Sequence, residues 1–147
     1  METKIYYYSL FMGWVGVLLF GSLGIGILYP AFLVHDSHIW LYITPVELIA
    51  GVLLYYAIKI SFIPAINKEP ILELDDEKLY FYMTDRTIYW RDVVEIFEDY
   101  RSHSPAIRFE MVDGSDDIII GTKWISGRNE KIYNTIQEYF AENLRKG

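Results

Sequence analysis

The chain has 147 residues, of which 52% are hydrophobic and 17% aromatic, and 20 acidic residues against 13 basic ones leave a formal net charge of −7. That balance argues against a nucleic-acid binder, whose affinity rests on basic side chains that neutralise phosphates. Cysteine is absent, which excludes a disulfide framework, a thiolate nucleophile and a cysteine-ligated zinc site.

Charge is unevenly spread along the chain. From Ile5 to Ile66 the only charged residues are Asp36, Glu47 and Lys59, accompanied by His35 and His38, whereas charges recur every few residues from Asn67 onward. The composition change predicts two parts, a transmembrane helical hairpin over 1–67 and a soluble domain over 68–147.

The first predicted span covers about 6–29, inside the apolar run from Ile5 to Val34. This run exceeds the roughly 20 residues that cross a bilayer core. Tyr6, Tyr7, Tyr8 and Tyr29 are expected at the two interfaces. A cleaved signal peptide fits less well, because Lys4 stands beside Glu2 and no small-residue cleavage site follows.

The connection from Pro30 to Ile43 carries His35-Asp36-Ser37-His38 and no Lys or Arg. Its His-x-x-His spacing offers too few ligands for a closed metal site, and a polar loop explains it at lower cost. Lys4, Lys59 and Lys68 flank the opposite ends of the spans. By the positive-inside rule both termini and the C-terminal domain are expected in the cytoplasm, with the hairpin in the cytoplasmic membrane.

The second span is predicted over 45–66. Thr44-Pro45-Val46-Glu47 reads as a capping box, with Thr at the N-cap, Pro at the first helical position and Glu at the third. Glu47 has a second reading as an intramembrane ion or proton site, together with His35 or His38. Lys59 reads as a snorkelling anchor. Small residues Ser9, Gly13, Gly16 and Gly24 near one face, Ser22 and Gly26 as a further small-residue pair, and Ala50, Ala57 and Ser61 in the second helix would let the two spans pack as a hairpin, or the same faces pair two chains.

After Pro70 the pattern shortens to alternating and aromatic-rich segments. Strands are predicted at 71–74, 79–83, 87–90, 93–100, 106–112 and 118–121, with Asp113-Gly114 the strongest hairpin signal. A helix over 127–144 carries Ile132, Ile136, Phe140 and Leu144 on one stripe. Short strands followed by one amphipathic helix predict a bent, β-rich sheet capped by that helix.

Two N-terminal spans, then PILELDDEKLYFY over 70–82 and TIYWRDVVEI over 87–96, resemble the bacterial pleckstrin-homology-like membrane proteins. The most specific shared residues are Ile88, Trp90, Asp92, Val93 and Ile96. The resemblance implies a pleckstrin-homology-like barrel closed by a C-terminal helix, and brings no agreed activity. Trp90 and Asp92 have a structural explanation, Trp90 entering the core with Val93 and Ile96 while Asp92 caps a turn through its side chain.

No catalytic constellation is expected. Gly21-Ser22-Leu23-Gly24-Ile25-Gly26 lacks the strand before it and the Gly-Lys-Ser/Thr ending of a phosphate loop. The acidic pairs read as solvated turns, so no enzyme activity, cofactor or metal is expected. Lys78, Arg86, Arg91 and Arg101 are scattered among carboxylates, which argues against anionic-lipid headgroup recognition. The expected function is a non-enzymatic, membrane-anchored module that binds a protein partner or forms a homo-oligomer. Two alternatives are an immunity protein against a membrane-active toxin and a small ion-handling subunit using Glu47.

Overall fold

The computed structural model describes residues 2–33, 38–100 and 104–146. Two compact units emerge, divided at 67/68 as the sequence predicts, except that the first eight residues fall with the C-terminal unit. One comprises residues 1–8 together with 68–147, and the other is the hairpin from 9 to 67.

The hairpin is made of α1 (Leu10–Leu33), α2 (Ile39–Ala57), a π-helical turn over Ile58–Phe62 and the short α3 (Ile63–Ile66). The helices pack along the small residues the sequence marks. A Cβ on Gly13 would stand 3.1 Å from the Cα of Phe62, and one on Gly16 would stand 3.2 Å from the Cβ of Ala57. Trp14 and Phe62 meet edge to face at 4.9 Å. Ser22 and Gly26 lie outside this seam: the Ser22 hydroxyl donates to the Leu19 carbonyl and a Cβ on Gly26 would meet open space.

The capping box at Thr44 does not form. Helix α2 begins at Ile39 and passes through Pro45. The Thr44 hydroxyl turns back to donate to the Trp40 carbonyl at 2.6 Å. In so apolar a segment the backbone must pair with itself, so the helix runs past a proline that merely lacks one donor. At the other end Pro64 has no N–H for the Ile60 carbonyl, and just before it the Ile63 N–H reaches Ile58 instead, an i to i−5 bond that makes the π turn.

The β-rich unit holds two antiparallel sheets and a C-terminal helix. The first sheet, in the order β1-β2-β3-β4, comprises β1 (Lys4–Tyr7), β2 (Pro70–Leu74), β3 (Lys78–Phe81) and β4 (Arg86–Tyr89). The second, β5-β6-β7, comprises β5 (Val93–Asp99), β6 (Ala106–Met111) and β7 (Ile118–Gly121). The sheets are separate, so the expected closed barrel is corrected to two open sheets capped by α4 (Asn129–Lys146).

Strand β1 is the main departure from the sequence reading. Residues expected at a membrane interface pair with β2, Tyr6 opposite Leu72 and Tyr7 opposite Pro70. The Tyr8 N–H extends the contact to the Glu69 carbonyl at 3.4 Å, and the Ser126 N–H donates to the Tyr7 carbonyl at 2.8 Å. The side chain of Tyr6 packs against the core. A β-prone alternation in Lys4-Ile5-Tyr6-Tyr7 is hidden in the sequence because it runs directly into an apolar helix.

The core lies between the sheets and α4. Leu72, Leu74, Leu79 and Ile88 of the first sheet, Ile96, Ile107, Phe109 and Ile120 of the second, and Ile132, Ile136 and Phe140 of α4 are all buried. Each fully buried aliphatic or aromatic side chain of this kind contributes about 1.5–3 kcal/mol. The β6–β7 connection turns at Gly114, whose φ of +69° suits glycine, and the Asp113 carboxylate accepts the Ser115 N–H at 3.0 Å.

Candidate functional site

Trp90 sits at the crossover between the sheets, in the 3-10 turn Trp90–Asp92. Its side chain is 1% exposed and its indole N–H donates to the Asp75 carbonyl at 2.8 Å. Asp75 in turn organises the β2–β3 turn, its carboxylate accepting the N–H groups of Glu77 and Lys78 at 2.8 Å each. The tryptophan therefore locks the first turn of one sheet to the exit towards the other.

Asp92 holds that exit by its backbone. Its carbonyl accepts the Val112 N–H at 2.9 Å, fastening the turn to the end of β6. Its carboxylate lies 3.6 Å from the Arg91 guanidinium, both side chains being half or more exposed. Arg91 also covers the Tyr89 ring at 5.3 Å.

Glu47 lies in the interior of α2, seven residues beyond Trp40 and so about 10 Å along the helix from it. It faces the glycines of α1: a Cβ on Gly24 would stand 3.5 Å from Glu47 Oε2. Its other oxygen, Oε1, is fully buried and has no hydrogen-bond partner among the described residues. An open cleft of about 210 Å³ adjoins it, lined by Phe20, Gly21, Gly24, Ala50, Gly51 and Leu54 among others. With the capping box gone, this carboxylate has no backbone donor to serve.

Of the three candidate ion-handling residues, the structure sets His38 and Glu47 apart along one helix. His38 stands immediately before α2, nine residues from Glu47, and helical rise puts about 13 Å between them. His35 lies outside the described residues. Among the described residues no group of three or more His, Asp and Glu side chains gathers at metal-binding spacing.

On the β-rich unit, several acidic side chains serve tyrosines and turns. Tyr82 donates to Glu73 at 2.6 Å, Tyr80 donates to Asp85, and the two rings meet edge to face at 4.5 Å. The hydrogen bond to Glu73 pushes the Tyr82 phenol up to about 12, and that to Asp85 raises Tyr80. Asp85 holds a left-handed backbone with φ of +51° in the β3–β4 connection.

Sequence reasoning missed the residues by which α4 fastens the domain. Tyr133 and Gln137 both donate to the Ile96 carbonyl, at 3.2 and 2.9 Å. Asn143 donates to the Asp76 carbonyl at 2.9 Å, and the Thr122 hydroxyl to the Asn129 side-chain oxygen at 2.9 Å. Their only signal is a polar residue beside the apolar stripe of α4, which by itself names no partner. No model of a protein family, no curated protein and no solved structure matches the chain.

Proposed function

We propose that this chain is a non-enzymatic interaction module of pleckstrin-homology-like fold, anchored in the cytoplasmic membrane by its hairpin and presenting an acidic domain to a protein partner in the cytoplasm. The observation that carries the anchor is exposure: across an 18-residue apolar stretch within Leu10–Tyr29 only 6% of residues are buried, and across one within Trp40–Ile66 only 22%. Phe11, Ile25, Leu41 and Leu48 are each at least 65% exposed. A soluble protein rarely leaves so large a continuous apolar surface in water, whereas lipid covers it without cost.

The fold reading is supported by a four-strand meander, a three-strand meander and a closing helix in that order. Topology is supported by β1, which belongs to the same unit as the C-terminal domain and so keeps the N-terminal strand on that domain's side of the bilayer. The interaction reading rests on where the acids are. Only Asp36 and Glu47 of the 20 acidic residues fall in the hairpin. On the domain, Asp75 and Asp113 hold turns and Glu73 and Asp85 accept from tyrosines, and the open sheets leave edge strands that a partner can extend.

Full-length protein expressed in bacterial membranes tests the proposal. Alkaline washing should leave it in the membrane pellet, and reporters fused to either terminus should both read cytoplasmic. Affinity capture after mild detergent extraction should recover a stoichiometric protein partner. A monomer that stays dissolved without detergent refutes the anchor, and capture of nothing above background refutes the interaction role.

A further inference from the structure

We propose that the cleft between α1 and α2 is a binding site for a lipid-phase aliphatic amine, whose ammonium group pairs with Glu47 while its chain lies along the glycine-lined walls. The inference rests on the membrane anchor proposed above. It starts from the buried Oε1 of Glu47, which has no hydrogen-bond partner among the described residues. A carboxylate oxygen withdrawn from water without a donor is costly, and a cation that also carries N–H groups offsets that cost most fully.

The walls favour an organic cation over a metal ion. Among the residues that line the cleft, Glu47 is joined by no second carboxylate or imidazole with which to complete a coordination shell. The other lining residues are apolar or glycine, including Phe20, Gly21, Ala50 and Leu54. At about 210 Å³ the cleft is of side-chain size. A whole helix of a second copy, roughly 10–12 Å across, does not enter it. A Cβ built on Gly21 or Gly51 meets no atom within 4 Å, so both positions leave room that an alkyl chain can take.

The test uses the full chain in phosphatidylcholine vesicles, first floated on a density gradient. A chain that stays at the bottom overturns the membrane anchor, whereas one that floats allows the amine site to be judged separately. A photoreactive dodecylamine analogue is then cross-linked, with unlabelled dodecylamine as competitor and dodecanol as the uncharged control. The expected result is saturable labelling of peptides over 20–28 and 47–54, competed by the amine and not by the alcohol.

Glu47→Gln should lower labelling at a subsaturating probe concentration by about tenfold, the effect of a 1.4 kcal/mol loss. Gly51→Leu keeps the carboxylate and fills the cleft, and should reduce labelling at least fivefold. Equal labelling of Glu47→Gln and the unaltered chain overturns the proposal, as does equal competition by dodecanol. Cross-linking of one chain to another through these peptides, with the amine excluded, also overturns it by assigning the cleft to a second copy.

Discussion

The Tyr139 hydroxyl donates to the Glu2 carbonyl at 2.5 Å, joining positions 137 residues apart near the two ends of the chain. Lys4 reaches Thr135 one turn earlier on α4, at 3.4 Å. The start of the chain is thus held by its final helix, and the hairpin is an insertion between neighbouring strands β1 and β2 rather than an N-terminal appendage.

That arrangement predicts that residues 68–147 alone are incomplete. Without β1, strand β2 loses a hydrogen-bonded neighbour, and the core loses Tyr6 and Tyr8. A chain joining residues 1–8 directly to 68–147 through a short Asn-Gly turn should fold as a soluble domain, because Tyr7 and Pro70 already face each other. Amide exchange and thermal melting should show cooperative unfolding for the joined chain, and a broad or lower transition for 68–147.

Tyr139→Phe keeps the ring in the core and removes the bond to Glu2. The expected loss is about 1 kcal/mol, with faster amide exchange confined to β1. Calorimetry and exchange measured on the joined domain check both parts.

Trp90→Phe should cost more than its volume suggests, because the Asp75 carbonyl loses the indole donor at 2.8 Å as well as packing. A loss of about 2–3 kcal/mol is expected, and Trp90→Ala should approach 3–5 kcal/mol. Asp92→Asn should change stability by less than about 0.5 kcal/mol, since the bond that fastens this turn to β6 comes from the backbone carbonyl. Urea titration separates the three.

Tyr82 sets a high-pH signature. Its folded phenol is pushed up to about 12, mainly by the hydrogen bond to Glu73, above its usual value of 10.0. A group whose folded value is raised contributes stability that is present below pH 10 and lost as pH rises through 12. Tyrosine ring-carbon NMR should show Tyr82 titrating late. Glu73→Gln should bring it back towards the ordinary value.

Gly13→Val should loosen the hairpin by about 1–3 kcal/mol, because a Cβ there stands 3.1 Å from the Phe62 backbone. Gly26→Ala, whose Cβ meets open space, should leave the thermal stability of the detergent-solubilised chain unchanged.

Periodicity was enough to place six strands and the final helix within a residue or two, because each short alternation of the 70–121 stretch is bounded by its own turn chemistry, such as Asp75 and Asp113-Gly114. The apolar runs likewise marked both long helices. Local rules failed where the setting of a motif decided the outcome. Thr44 has every residue of a capping box, yet helix α2 continues through it because an apolar segment pairs its backbone internally.

The sequence by itself determined the greasy hairpin, the strand pattern and the amphipathic helix, since these depend on the order and period of neighbouring side chains. Only the tertiary structure decided that Lys4–Tyr7 is a strand of the far domain, that the sheets stay open, and that Glu47 faces glycine instead of its own helix start. Those outcomes depend on which surfaces meet across the whole length of the chain, and that information is carried by no single window of residues.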